Sequence, residues 1–252
     1  TRAQTLLPYA IGKFGIVGDI NAESLPDIIT KHCTKTNANG TFNKDFEPAG
    51  AQCQSRVYVN TSGTDLLKRV ITSEGGQMDI MYKDSTQYRD ASGTLLNPTL
   101  PFVIKTVERI ELRDGIGASP RITRYVYEGG YFYASDTNIY ERYNTGFAKV
   151  TEIDPYDNKH VRYYHQGGGF NGATLGEFQD TITKRSRIYR DETYNASGFK
   201  MSETVHTWNE NPLGNERVFI SRSNTLSTEF ETGGSKSKAF SSTYDFATGN
   251  MI

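Results

Sequence analysis

Arg121-Ile122-Thr123-Arg124-Tyr125-Val126-Tyr127 decides the fold, because it keeps a two-residue rhythm and no helical one. Side chains on a strand point alternately to either face, so this rhythm predicts a half-buried strand. Met201–Trp208 repeats it, and Phe102–Leu112, Phe147–Ile153, His160–His165 and Arg217–Ser221 are of the same type. Turn formers sit between them: Asp114-Gly115, Glu128-Gly129-Gly130, Asp154-Pro155, Gly167-Gly168-Gly169 and Asn195-Ala196-Ser197-Gly198. Short strands broken every ten or so residues predict an all-β chain, a sandwich, barrel or rolled sheet. Only Thr64–Arg69 and a few residues after Gly172 could form a helical turn.

Composition narrows the function. Among 252 residues hydrophobic side chains make up 36%, and 16 Tyr and 13 Phe carry the burial. Tyr suits strands with one wet face. A formal net charge of -1, with no basic block, argues against nucleic acid as a partner. No apolar run reaches the ~18–20 residues that span a bilayer. The start, Thr1-Arg2-Ala3-Gln4, lacks a signal-peptide layout and a Met, so both ends are expected to be cuts from a longer chain.

The two cysteines, Cys33 and Cys53, bracket a polar Gly/Asn-rich segment. A disulfide between them would close a loop of roughly 20 residues and place the protein in an oxidising compartment. The alternative is two unrelated buried thiols.

Chemistry-bearing patterns are few. Gly167–Gly172 satisfies G-x-G-x-x-G, but Ala173–Phe178 is too short and Gly-interrupted for the helix a dinucleotide site needs. There is no G-x-S-x-G, no H-E-x-x-H, and no His partner for either Cys in a recognisable context. His32, beside Cys33, is expected in an exposed loop, and His160, His165 and His206 in strands, where hydrogen-bonded structural roles are expected. No general acid/base pair can be named, so a non-catalytic chain is expected. Asn39, Asn60 and Asn195 begin glycosylation triplets, which inform only in a eukaryotic source.

Asp19-Ile20-Asn21-Ala22-Glu23-Ser24-Leu25-Pro26-Asp27 places oxygen side chains at positions one, three, five and nine of a tight loop. That is how a chain wraps calcium, with the Leu25 carbonyl at position seven. The candidate ligands are Asp19, Asn21, Glu23, Leu25 and Asp27. The loop resembles that of FG-GAP propeller repeats, as does Val57–Gly63 after it. Glu23 stands where that pattern has Asp and Ser24 where it has Gly, so the loop either keeps calcium or keeps only its shape.

Further segments, in order, resemble the Rhs/YD-repeat and insecticidal toxin-complex B family. They are Leu66–Val70, Gly75–Tyr82, Leu100–Ile104, Asp114-Gly115, Tyr125–Tyr131, Gly146–Val150 and Tyr164–Phe170. Lys184–Arg190 resembles its K-x-G-R-x-Y-R segment, with Ser186 where Gly is usual. Tyr244–Ile252 looks like the opening of a YD repeat. The resemblance implies the end of an FG-GAP-like propeller in residues 1–66, including the disulfide-closed loop. It implies a toxin-complex-B-middle-like β region in 67–190 and a hairpin array leading into YD repeats in 191–252, the antiparallel strands of a rolled β-shell.

In that family such a shell encloses a C-terminal polypeptide, often a toxin. The expected partners are therefore the rest of the polypeptide, its C-terminal cargo, and a pore-forming or surface protein. The expected location is secreted or at the cell surface. The rival expectation is a cell-surface adhesion or filament component with YD repeats. On a rolled sheet, one face of each strand should carry the aromatics. Tyr125 should then share a face with Tyr127, and Tyr163 with His165.

Overall fold

The computed structural model describes strand residues 15–18, 27–34 and 52–58, and residues 66–252 except 118, 136, 139, 168–179, 216, 246, 247 and 252. The chain divides into two compact units, Thr1–Leu66 and Leu67–Ile252. In the first, β1 (Gly15–Gly18), β2 (Asp27–Thr34) and β3 (Gln52–Tyr58) form an antiparallel sheet with β2 in the centre.

Among the described residues the second unit holds one ten-stranded sheet. Its strands are β4 (Arg69–Ile71), β5 (Gln77–Asp84), β6 (Lys105–Arg113), β7 (Arg121–Ala134) and β8 (Arg142–Ile153). They continue as β9 (Lys159–Tyr164), β10 (Ile188–Tyr194), β11 (Lys200–Gly214), β12 (Arg217–Glu231) and β13 (Gly234–Ser241). Each strand pairs antiparallel with its sequence neighbours, and among the described residues β4 and β13 are the two edges. The all-β expectation holds. The sheet is open, and the expected divide at 190/191 falls inside β10.

Three hairpins turn by the same device. Asp90, Asp154 and Asn195 each accept, on a side-chain oxygen, the backbone N–H groups two and four residues ahead, at 2.8–3.1 Å. Each also donates its own N–H to the carbonyl of the latter residue, at 2.9–3.0 Å. The fourth residue of the turn is left-handed: Gly93 at φ 86, Asp157 at φ 62 and Gly198 at φ 83. A short polar side chain standing in for backbone, followed by a residue that tolerates positive φ, is what closes such turns.

Gly129-Gly130 is not the turn its composition predicted. β7 runs straight through it, with an irregular register between Gly130 and Phe132. Gly129 takes φ 66, and a Cβ on Gly130 would stand 3.2 Å from Asn97 Oδ1 and 3.3 Å from Leu100. Glycine here admits a close neighbour, as it often does within strands. The helical turn expected at Thr64–Arg69 is also corrected over its described part: residues 66–68 are irregular and Arg69 opens β4.

The core is thin. Among the described residues five apolar side chains are buried (Tyr88, Leu100, Ala148, Val161 and Tyr189), against twelve polar or charged ones. The first centre lies where β6 and β7 part, since they pair only over Arg109–Leu112 and Arg121–Arg124. Residues 85–104 fill that opening, and the Tyr88 ring meets Tyr127 edge-on at 5.7 Å. The second centre is Tyr189, fully buried, with Tyr163 at 6.1 Å and His165 at 5.0 Å between ring centroids. Tyr163 and His165 thus meet the same ring, as period two requires.

Candidate functional site

With so little buried apolar surface, the sheet's two faces are where this unit can act. Residues directly opposite on paired strands share a face, so register sorts them. Tyr125 faces the same way as Glu152 and His160, and Tyr127 as Val150 and Arg162. Glu128 faces the other way, with Lys149 and Tyr163. Aromatics therefore occupy both faces, which corrects the expectation of one aromatic side. The reason is that both faces are half-covered and each needs broad side chains that tolerate water.

From β8 to β12 the first face is a polar lattice. Arg162 bridges Glu152 at 3.3 Å and Asp191 at 3.4 Å. Next come Thr193 with His160 (3.3 Å), Thr204 with Ser227 (3.2 Å) and His206 with Thr225 (3.1 Å). Burial and the nearby Arg222 hold His206 below the ordinary imidazole range, so it is a neutral hydrogen-bonding group near neutral pH.

The second face holds a shallow trough of about 480 Å³ floored by Val126, Ile153 and Val161 and walled by the Glu128–Lys149 ion pair and Tyr194. Beside it Glu192, only 3% exposed, accepts hydrogen bonds from Tyr163 (3.0 Å), Tyr194 (3.0 Å) and Lys200 (2.6 Å). Burial raises the Glu192 carboxyl, but these donors outweigh it and hold the group below the usual range. Burial lowers Lys200, yet Glu192 and Glu203 push it up on balance. The cluster is satisfied within itself and suits a brace between β9, β10 and β11.

The expected sites fall unevenly. Asp19, Asn21, Glu23 and Leu25 lie outside the described residues, and Asp27 begins β2 opposite Gly18. Cys33 and Cys53 are direct register partners on β2 and β3. Their side chains lie outside the described residues, as do Asn39 and Asn60. His165 is 1% exposed, with Nδ1 3.3 Å from Asp180, whose carboxylate accepts the N–H groups of Gln166 (3.0 Å) and Gly167 (2.8 Å). Gly167 takes φ 84, and a Cβ there would stand 2.4 Å from Ile182 Cα, so this glycine serves packing. The other glycines of the G-x-G-x-x-G run lie outside the described residues.

Sequence reasoning missed Gln166 and Asn97. Fully buried, Gln166 donates its amide to the carbonyls of Gly129 (2.7 Å) and Gly146 (3.1 Å). Asn97 does similar work, and the only signal for either was a lone amide near an irregular Gly-rich strand. Among the described residues no group of His, Cys, Asp and Glu could hold a metal ion. No helix among them is long and apolar enough to cross a membrane.

The described part of the second unit is thus an open, all-β antiparallel meander with two half-wet faces. Residues 47–166 match the family described as the insecticide toxin TcdB middle/N-terminal region. Over those residues, just under half of the chain, it is similar to insecticidal toxin-complex B proteins. No curated protein matches the chain.

Proposed function

We propose that the chain is a structural, non-catalytic segment of a large exported toxin-complex-like protein. Its ten-stranded meander forms part of a β-shell wall around a C-terminal polypeptide. The observation that carries this reading is the sheet's economy. Ten consecutive strands run edge to edge with five buried apolar side chains among the described residues, which suits a wall that borders solvent or a filled interior on both sides. The similarity of residues 47–166 to the middle region of an insecticide toxin supports the same reading.

The test is limited proteolysis of the longer native polypeptide, followed by identification of what survives. A downstream polypeptide that resists cleavage until the shell is denatured supports enclosure. A downstream region cleaved as fast as when it is free would overturn it. In that case binding to host cells would favour the adhesion or filament reading.

A further inference from the structure

From the direct opposition of Cys33 and Cys53 on adjacent antiparallel strands, we infer that these two residues form a cross-strand disulfide that staples β2 to β3. The register runs without a shift from Ile28↔Tyr58 to Thr34↔Gln52, and Cys33↔Cys53 is one of its pairs. Directly opposite residues in antiparallel strands have Cα atoms about 4.5–5.5 Å apart. A disulfide spans Cα separations of about 4.4–6.8 Å, so the backbone already holds the two positions within reach. Opposed residues also share a face of the sheet.

Two independent observations converge here. The chain holds only 2 cysteines, and the register, which is set by the whole length of the two strands, makes them partners. A slip of one residue along either strand would end the opposition. Among the described residues the first unit has a sheet of three strands, one only four residues long, and a sheet of that size gains from a covalent tie.

The chemistry balances with an exchanging disulfide such as oxidised glutathione. Two S–H bonds break and one S–S bond forms. The two electrons and two protons reduce the glutathione disulfide to two thiols. The staple thus forms after export, where the poise is oxidising, and stays open in a reducing cytosol.

The test uses the whole chain equilibrated with oxidised glutathione, denatured with iodoacetamide present and no reductant, and digested with trypsin. Cleavage at Lys31, Lys35, Lys44 and Arg56 puts the cysteines on separate peptides, 32–35 and 45–56. The staple predicts one linked species containing both peptides, from protein that runs as a monomer on a non-reducing gel, and its loss on reduction. Recovery of both peptides singly alkylated, or links only between chains, would overturn it. Because this readout follows unfolding and needs no partner, it stands apart from the enclosure test.

Discussion

The side-chain oxygen of Asn97 accepts the backbone N–H of Gly130 at 2.8 Å, and the same amide donates to the carbonyls of Ser85 and Tyr127, each at 3.0 Å. One 5%-exposed side chain thereby satisfies three backbone groups where β6 and β7 separate. Asn97→Ala should cost about 3 kcal/mol, since buried backbone groups lose their partners. Gly130→Ala should cost about 1–3 kcal/mol through overpacking against Asn97, Phe147 and Leu100. Chemical denaturation of each variant checks both, and loss of less than about 0.5 kcal/mol from Asn97→Ala would remove it from the core.

Glu192 sets an acid limit. Its folded carboxyl titrates below the ordinary value, so its stabilisation is full above about pH 4.3 and fades as pH falls through the lower folded value. Glu192→Ala should cost about 2–4 kcal/mol at neutral pH, as Tyr163, Tyr194 and the 29%-exposed Lys200 lose their acceptor. Glu192→Gln should flatten the loss of stability below pH 4.3, measured as denaturation midpoints across an acid series.

Tyr88 and Tyr127 mark the alkaline side, because burial pushes both phenols up to about 12. The unfolded chain ionises them near pH 10, so stability should fall as pH rises from about 10 towards 12. Tyrosinate absorbance should show these two phenols ionising well above the ordinary tyrosine value, towards pH 12. Tyr88→Phe should remove one of them, at the cost of the 2.8 Å contact with Thr106.

Left-handed backbone gives a pair of opposite outcomes. Ser186 sits at φ 64, and Ser186→Gly should stabilise by about 0.5–1 kcal/mol. Gly198 takes φ 83 with nothing within 4 Å of an added Cβ, so Gly198→Ala measures backbone strain alone. It should cost about 1–2 kcal/mol, and Gly198→Asn less, because Asp157 already holds the same place in the Asp154 turn. Thermal melts of the three variants give the ordering directly.

Much of this was legible in the residues. Alternation located β6 to β9, β11 and β12, because a half-wet strand must repeat every second residue, but not β10. The Asn195 turn announced itself through Asn, Ser and Gly, and Ser186 stood out as a residue in a glycine's place. What failed was local: Gly129-Gly130 carries the composition of a turn, yet its glycines serve a close approach inside a strand. Single buried amides such as Asn97 and Gln166 have no sequence pattern, since their partners are 12 to 37 residues away.

The most direct test of the wall is hydrogen exchange along β13 (Gly234–Ser241), the edge that pairs only with β12 among the described residues. An edge strand leaves half its backbone groups unpaired until another strand joins it. The account predicts that β13 amides exchange quickly in the 252-residue chain and become protected in a longer polypeptide, where the sheet continues. Equal protection of β13 in both would contradict it, because the ten strands would then be complete by themselves.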